Sequence, residues 1–257
     1  MKINFQILKS IIPNSLTALN LLCGCISVLA FLGEEHFAGI MLILIAALAD
    51  FLDGFVARLL KVQSELGKQL DSLADMVSFG FVPGVIVFKS LVGSNPLNNN
   101  YLEELNSQNY LPLFGFLITI FSGVRLAKFN IDTRQSNSFI GLPTPANTLF
   151  FLTIPLIWIN EIPGNWAYEL TLNKPLIVCL VALFSYLLVA ELPLLALKFK
   201  GFRLKENIYR YSLLVLGISG AVLLKHLSIP IILIIYLMLS VLENNYKSRI
   251  LREKKIK

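Results

Sequence analysis

Residues 37–92 read FAGIMLILIAALADFLDGFVARLLKVQSELGKQLDSLADMVSFGFVPGVIVFKSLV, two long apolar runs joined by a segment that contains charged residues. Each run is close to the roughly 20 apolar residues that a helix needs to cross a bilayer. Asp50, Asp53, Asp71 and Asp75 lie at the ends of the runs that meet at this segment. An uncompensated carboxylate at mid-membrane depth costs roughly 2.5–3.5 kcal/mol. The stretch therefore predicts a transmembrane helical hairpin with a functional acidic site.

Apolar runs of similar length recur along the chain, which has 257 residues, 56% hydrophobic and 15% charged, with a mean hydropathy of +0.71. This pattern predicts an all-α, polytopic integral membrane helical bundle of about eight transmembrane helices. Residues 1–12 could form an amphipathic helix in the membrane interface or a frayed leader to the first span. The predicted spans are Ile11–Leu32, Phe37–Leu60, Leu73–Val92, Tyr110–Phe129, Leu142–Asn160, Pro175–Leu197, Ile208–Leu224 and Ser228–Leu242.

Lysine and arginine are concentrated in alternate loops, whereas the intervening loops carry glutamates. Because positive residues are retained on the cytoplasmic side, both chain termini and the acidic end of the hairpin are expected to be cytoplasmic. We expect a multi-pass protein of the inner (cytoplasmic) membrane whose acidic site faces the cytoplasm. The net charge of +6 follows from this topology and from attraction to anionic headgroups, so no nucleic-acid partner is expected.

The four carboxylates lie on two helical stripes. At about 100° per residue, Asp53, Gly54 and Ala57 fall within about 60° of Asp50 on one face of the second span. In the next span, Gly67 and the two aspartates that follow it are spaced at four-residue intervals, so they stack along one stripe. In an antiparallel hairpin the two stripes can face each other and place all four carboxylates around one cavity.

Like charges this close together repel each other, and a cation between them would offset the repulsion. Oxygen ligands without nearby histidine or cysteine favour a hard ion, Mg²⁺ or Mn²⁺, over Zn²⁺, and Ca²⁺ remains open. Several carboxylates suit a pair of divalent metal ions, which can hold a diphosphate. The residues thus predict phosphoryl-transfer chemistry at a lipid surface.

The acidic segment follows the pattern Asp50-x2-Asp53-Gly54-x2-Ala57-Arg58-x8-Gly67-x3-Asp71-x3-Asp75, which resembles the complete signature of the CDP-alcohol phosphatidyltransferases. The resemblance implies a membrane domain of six spans over residues 13–200, followed by residues 201–257 with two additional helices and a basic cytoplasmic tail. It also implies transfer of the phosphatidyl group of CDP-diacylglycerol to an alcohol with release of CMP, a divalent metal cofactor, Mg or Mn, and a homodimer.

The resemblance implies a role for each signature residue and for the motif Pro13-Asn14-x2-Thr17 of the first span. By residue type alone, Arg58 could be a topological anchor, Asn14 and Thr17 caps or interhelical bonds, and Gly54 and Gly67 packing residues. The implied metal ligands are Asp50, Asp53, Asp71 and Asp75, and Asp75 is also the implied catalytic general base. The implied residues for the donor nucleotide and diphosphate are Asn14, Thr17, Gly54, Ala57, Arg58 and Gly67.

The segments FSGVRLAKFN (residues 121–130), FIGLPTPA (residues 139–146) and DMVSFG (residues 75–80) resemble the branch of the family that uses L-serine as the acceptor. Asn147 departs from that branch, where a small residue is expected. A serine site needs a cation near the metals, and Arg125 and Lys128 could supply it, although both also fit a topological role.

Two alternatives remain open on the sequence. The acceptor could be glycerol 3-phosphate, an inositol derivative or choline, although a phosphate-bearing acceptor would recruit more basic groups and choline would favour an aromatic cage. The carboxylates could instead form the transport site of a divalent-cation transporter, because intramembrane acids often mark ion pathways. Against transport, the acids lie toward one end of two spans, and no other predicted span continues an acidic path.

Overall fold

The computed structural model describes residues 5–92, 109–132, 141–192 and 208–256, with side chains described from residue 9 to residue 244 within these ranges. The described residues form helices and connecting turns and no β-strand, which confirms the all-α prediction. The α-helices are α1 Phe5–Leu32, α2 His36–Leu60, α3 Glu65–Asp75, α4 Val82–Val92, α5 Leu117–Ile131, α6 Thr144–Phe151, α7 Thr153–Asn160, α8 Trp166–Leu172, α9 Lys174–Val189, α10 Ile208–Leu224 and α11 Ser228–Ile256. A π-helical turn, Met76–Phe81, joins α3 to α4, and 3₁₀ turns lie at Leu111–Phe116 and Lys225–Leu227.

Five helical stretches are long and apolar enough to cross a membrane. A sixth arises if α8 and α9, which are bent by 69° relative to each other, form one span. This confirms a chain with several membrane-capable helices, while the count of eight stays a prediction. The five stretches are Lys9–Leu32, His36–Leu60, Glu65–Val92, Leu111–Ile131 and Ile208–Asn244.

The stretch Ile208–Asn244 folds back on itself. The Arg210 Nη1 atom lies 3.4 Å from Glu243 Oε1, whereas these residues would be about 50 Å apart on one straight helix. The chain reverses at Lys225, whose φ of 48° is in the left-handed region. Helices α10 and α11 therefore form an antiparallel hairpin, and their first residues match the starts of the last two predicted spans.

Two predicted spans differ from the helices observed. Leu142–Asn160 is divided at Leu152 into α6 and α7, because Pro155 provides no amide N–H for the Phe151 carbonyl and its ring crowds that carbonyl. Helix α9 ends at Val189, before the predicted end of its span, and residues 193–197 lie outside the described part.

The opening segment, predicted as an interfacial amphipathic helix or a frayed leader, is the start of a longer helix. Helix α1 runs without interruption from Phe5 through Pro13 to Leu32, so residues 5–12 belong to the first membrane-capable helix. Residues 1–4 lie outside the described part. Whether residues 5–12 lie in the membrane interface stays a prediction.

Helix α4 lies at the centre of the bundle, where every residue from Val82 to Leu91 is buried. Around it, large apolar side chains of α1, α2, α5, α6 and α9 form one core, to which Phe31, Ile43 and Phe184 contribute. Helices α1 and α2 approach closely at Gly39, where a Cβ atom would lie only 2.7 Å from the Phe31 ring. This close antiparallel pair holds the first helix against the acidic face of α2.

The charged groups at the end of the bundle opposite the aspartates include a buried lysine. Lys89 donates to the Phe31 carbonyl at 2.6 Å and to Glu34 Oε1 at 2.9 Å. Because the ammonium is paired with a carboxylate, its position in α4 does not conflict with the predicted topology.

Candidate active site

A four-residue turn positions the two acidic helices. Lys61 ends α2 in the left-handed conformation, with a φ of 55°. The Val62 amide donates to the Ala57 carbonyl, which satisfies a carbonyl at the helix end. Ser64 then caps α3, because its hydroxyl accepts from the Gly67 amide at 3.0 Å. Only the four residues 61–64 therefore separate the acidic end of α2 from the start of α3.

Three carboxylates meet between these helices. Asp50, Asp53 and Asp71 each offer one oxygen atom, and the three atoms lie within 4.8 Å of one another. Asp53 is only 5% exposed, and the Asp71 Oδ1 atom is buried with no hydrogen-bond partner among the described residues. Buried polar atoms are rarely left unsatisfied. The donor set and the orphaned oxygen fit a hard divalent cation, as expected for the family.

Asp75 lies beside this group and outside the set of three. The residue is 9% exposed, and its carboxyl group interacts electrostatically with Asp50, Asp71 and Arg125. Asn20 donates to Asp75 Oδ1 at 3.2 Å. Thus the four aspartates do converge, but three share the candidate metal position and the fourth has its own amide donor.

The first helix contributes a polar stripe that points at both groups. The Thr17 hydroxyl donates to Asp53 Oδ2 at 2.5 Å and lies 3.1 Å from the Pro13 carbonyl oxygen. One turn further on, Asn20 is fully buried, and its Oδ1 atom accepts from the Ser78 hydroxyl at 2.5 Å. The sequence prediction assigned Asn20 no role, although its i+3 spacing from Thr17 indicates a shared face.

Asp75 is followed directly by the π-helical turn. Its altered hydrogen bonding leaves carbonyl groups that side chains from other helices satisfy: Thr119 donates to the Gly80 carbonyl at 3.0 Å and Thr148 to the Phe79 carbonyl at 2.9 Å. Such turns occur frequently at functional sites because they change the helical register locally. Here the turn places the Ser78 hydroxyl within hydrogen-bonding distance of the Asn20 side chain.

A cavity of about 610 Å³ opens beside the three carboxylates. All six residues predicted to bind the donor lie on its wall, together with two of the implied metal ligands. Its size is within the usual range for small-molecule sites. The described residues that line it are Pro13, Asn14, Thr17, Asp53, Gly54, Ala57, Arg58, Val62, Gln63, Ser64, Glu65, Gly67, Lys68, Asp71 and Phe129.

Two cations lie on this wall near the acids. The Arg58 guanidinium folds back along α2, where a Cβ atom on Gly54 would be 3.6 Å from its Nη1 atom. Lys68 donates to the Asn130 carbonyl at 2.8 Å, which connects α3 to the end of α5. Lys68 is one of the loop lysines whose distribution predicts the topology, and no ligand-binding role was predicted for it. Both side chains and the capped start of α3 favour an anionic ligand in this cavity.

The two predicted acceptor residues are placed differently. Arg125 is buried, its Nη1 atom donates to Thr144 Oγ1 at 3.2 Å, and its guanidinium lies 5.7 Å from the centroid of the Phe129 ring. Its Nε atom has no partner among the described residues. Lys128 is exposed, and neither Arg125 nor Lys128 is among the described residues that line the cavity. Arg125 differs from Lys128 in its burial and in its electrostatic interaction with Asp75.

Asn147, the residue that departs from the serine-using branch, is fully buried on the same face of α6 as Thr144. Neither of its side-chain amide atoms has a hydrogen-bond partner within the described ranges, and the same is true of the Ser122 hydroxyl in α5. No sequence signal assigned a role to either side chain. They show that polar atoms continue beyond Arg125 into the bundle.

The fold and the acidic site define a membrane-embedded helical protein of a known class. The family model described as CDP-alcohol phosphatidyltransferase matches residues 10–197, which is more than half of the chain. The chain belongs to the CDP-alcohol phosphatidyltransferase family, as the signature predicted. Helices α10 and α11 lie outside the matched residues.

Three named relatives show which proteins the chain resembles. A CDP-diacylglycerol–serine O-phosphatidyltransferase of Mycobacterium leprae (strain TN) is 32% identical over 171 residues, 64% of this chain and 51% of that protein. The protein of the same name from Mycobacterium bovis (strain ATCC BAA-935 / AF2122/97) is 29% identical over 248 residues, 91% of this chain and 77% of that protein. An archaetidylserine synthase of Methanothermobacter thermautotrophicus is 32% identical over 149 residues, 55% of this chain and 58% of that protein. The chain thus spans about half the length of the first of these relatives.

Proposed function

We propose that the protein transfers the phosphatidyl group of CDP-diacylglycerol to the hydroxyl group of L-serine, giving phosphatidylserine and CMP. The observation that carries the proposal is the placement of the whole family signature around one cavity beside three converging carboxylates. Relatives at about 30% identity are named for the same reaction. The activity would be a CDP-diacylglycerol–serine O-phosphatidyltransferase in phospholipid biosynthesis.

Asp50, Asp53 and Asp71 would hold divalent metal, Mg²⁺ or Mn²⁺, and Asp75, which interacts with Asp50, would complete a site for two ions. Bound there, the ions would neutralise the diphosphate and stabilise the attacking and leaving oxygens of a direct displacement. The protein supplies the position: α2 and α3 present their acidic faces to each other, and Thr17 orients Asp53.

The donor would occupy the cavity. Arg58 and Lys68 offer cationic donors for the diphosphate, and the planar guanidinium suits two phosphate oxygens at once. Gly54 and Ala57 leave a shallow surface on α2 for the cytidine part, while Asn14 lies opposite, near Gly67. This arrangement would hold the reacting phosphorus next to the carboxylates and align it for attack.

Asp75 would act as the general base. It accepts the proton of the serine hydroxyl as that oxygen forms a bond to the lipid-bearing phosphorus. The bond from phosphorus to the CMP oxygen breaks, and CMP leaves with the electron pair. A positioned base contributes typically about 10²–10⁴-fold, and alignment and charge neutralisation supply a larger share in phosphoryl transfer.

Besides the named relatives, the environment of Arg125 supports serine as the acceptor. Its buried guanidinium interacts electrostatically with Asp75, and its unpartnered Nε atom is a donor that the carboxylate of serine could use. Lys128 stays a prediction, to which its exposed position adds no support.

The orientation of the site also belongs to the proposal. The acidic end of the bundle carries Arg58, Lys61 and Lys68, which favours placing it at the cytoplasmic face of the inner membrane with both termini on the same side. There a soluble alcohol and a lipid diphosphate can meet. Eight spans, the division at residue 200 and a homodimer remain predictions.

The test is to supply purified protein in detergent or liposomes with CDP-diacylglycerol, Mg²⁺ or Mn²⁺, and one alcohol at a time, and to measure CMP release. We expect release with L-serine and little with glycerol 3-phosphate, inositol derivatives or choline. Release with only one of the other alcohols would refute serine and keep the family chemistry. Metal uptake into protein-containing liposomes without nucleotide, and no CMP release with any alcohol, would instead support the transporter.

A further inference from the structure

We propose that Asn20 is a positioning residue for the transfer, and that Ser78 holds its side-chain amide in place. In this arrangement the amide keeps the Asp75 carboxylate oriented to accept the proton of the acceptor hydroxyl. The inference rests on the proposed function, in which Asp75 is the base. Neither Asn20 nor Ser78 is part of the acidic signature.

The orientation of the amide follows from hydrogen-bonding chemistry. An ionised carboxylate only accepts hydrogen bonds, so the NH₂ group of Asn20 must face Asp75, at 3.2 Å from Oδ1. The amide oxygen then needs a donor, and the Ser78 hydroxyl lies 2.5 Å away. Asn20 and Ser78 are both fully buried, so bulk water cannot replace either partner. The two hydrogen bonds therefore run in one direction, from the Ser78 hydroxyl to the Asn20 amide oxygen and from the Asn20 NH₂ group to Asp75.

The backbone supports this arrangement from two sides. Ser78 belongs to the π-helical turn that starts directly after Asp75, and its hydroxyl also lies 2.9 Å from the Ala74 carbonyl oxygen. On the first helix, a Cβ atom on Gly24 would lie 2.9 Å from the Ser78 hydroxyl. Gly24 thus lets α1 approach the turn closely enough for Asn20 to reach Asp75.

The neighbours of Asp75 explain why it needs such a donor. Asp50 and Asp71 repel its carboxylate, whereas Asn20 and Arg125 attract it. A carboxylate in an uneven field of this kind would rotate toward the cation or toward a metal. The amide on α1 limits that rotation, which keeps one oxygen of the Asp75 carboxylate in a fixed orientation.

Three variants test the arrangement. Asn20→Leu removes the amide, Asn20→Asp replaces the donor with an acceptor at the same size, and Ser78→Ala removes the hydroxyl that holds the amide. We expect kcat to fall roughly tenfold to a hundredfold in the Asn20 variants, the loss expected for one hydrogen bond to a charged group. The KM for CDP-diacylglycerol should stay within about twofold, and Ser78→Ala should show a smaller loss of kcat.

Ser27→Ala is the matched control. Ser27 is a fully buried hydroxyl on the same helix, and it donates to the Gly39 carbonyl at 3.3 Å, away from the site. Its loss should leave turnover unchanged. If Ser27→Ala lowers kcat as much as the Asn20 variants do, the effect is one of general helix packing and the proposal is wrong.

A double-variant cycle separates positioning from structure. In an Asp75→Asn background, Asn20→Leu should cause no further loss of residual turnover, because the group it orients is already gone. An equal fold loss in both backgrounds would overturn the proposal, as would near-normal kcat in Asn20→Leu. If Asn20→Leu fails to fold, as judged by thermal unfolding in detergent, the same measurements are made with Asn20→Asp and Ser78→Ala in both backgrounds.

The failures of the two proposals are distinguishable. Near-normal turnover in Asp75→Asn would remove the base assignment, and the role of Asn20 with it. Loss of turnover in Asp75→Asn together with normal kcat in the Asn20 and Ser78 variants would refute the positioning role alone.

Discussion

Thr17→Val tests whether the first helix contributes to the candidate metal site. Thr17 lies on the cavity wall, where the family resemblance implies contact with the donor nucleotide, yet its hydroxyl donates to Asp53 Oδ2 at 2.5 Å. Valine has nearly the same shape and removes only the hydroxyl group. The substitution therefore tests whether the Asp53 carboxylate needs the hydrogen bond from the Thr17 hydroxyl in order to bind metal.

The expected magnitude follows from the hydrogen bond that is lost. A hydrogen bond to a charged group contributes roughly 1.5–3 kcal/mol, which corresponds to about 10- to 150-fold in an equilibrium constant at 1.36 kcal/mol per tenfold. Asp53 would keep its interactions with the Gly54 amide and with Arg58, so we expect a loss near the lower limit. Groups that orient metal ligands usually contribute about 10–100-fold to metal affinity.

The assay is CMP release as a function of Mg²⁺ or Mn²⁺ concentration at saturating CDP-diacylglycerol and serine. We expect the half-saturating metal concentration to rise about tenfold in Thr17→Val, and to stay near the parent value in Thr17→Ser, which keeps the hydroxyl. An unchanged metal titration in Thr17→Val would refute the reasoning. A higher KM for CDP-diacylglycerol at saturating metal, without a change in the metal titration, would assign Thr17 to the nucleotide alone.

Three further variants test the remaining assignments. Asp75→Asn should lower kcat about 10²–10⁴-fold while equilibrium binding of CDP-diacylglycerol persists, and near-normal turnover would contradict the base role. Asp71→Asn removes a carboxylate whose buried Oδ1 atom has no partner among the described residues. The half-saturating metal concentration should therefore rise at least roughly tenfold, and an unaltered titration would count against Asp71 as a ligand. Arg125→Lys should raise the KM for serine about tenfold, because an ammonium loses the planar fork of the guanidinium; an equal rise in the KM for CDP-diacylglycerol would exclude a specific acceptor role.

Local patterns in the sequence predicted much of the fold and of the candidate site. Hydrophobic run lengths predicted the helices at Phe37–Leu60 and Leu73–Val92, and four-residue spacing predicted the stripe that begins at Gly67. All six residues predicted to bind the donor lie on the wall of one cavity, and donor binding itself stays a prediction. These features depend on residues that are close in sequence, whose geometry a single helix determines.

Other features could not be predicted because they depend on contacts between distant segments. The division of Leu142–Asn160 reflects how Pro155 interrupts a helix inside a tightly packed bundle. The chain reverses at Lys225, and a hydropathy window does not detect this reversal. It is evident only from the packing of α10 against α11. Arg125 and Lys128 are three residues apart, yet one is buried beside Asp75 and the other is exposed.

The sequence by itself determined the class of protein, the two acidic stripes and the chemistry they favour, because run length, helical period and residue type are local properties. Only the tertiary structure decided which three carboxylates converge on one candidate metal position and that Thr17 and Asn20 each donate to one aspartate. The physical reason is that these contacts depend on how far each helix slides and rotates against its neighbours. Close approaches such as Gly24 against Ser78 set those shifts, and such contacts join residues more than fifty positions apart.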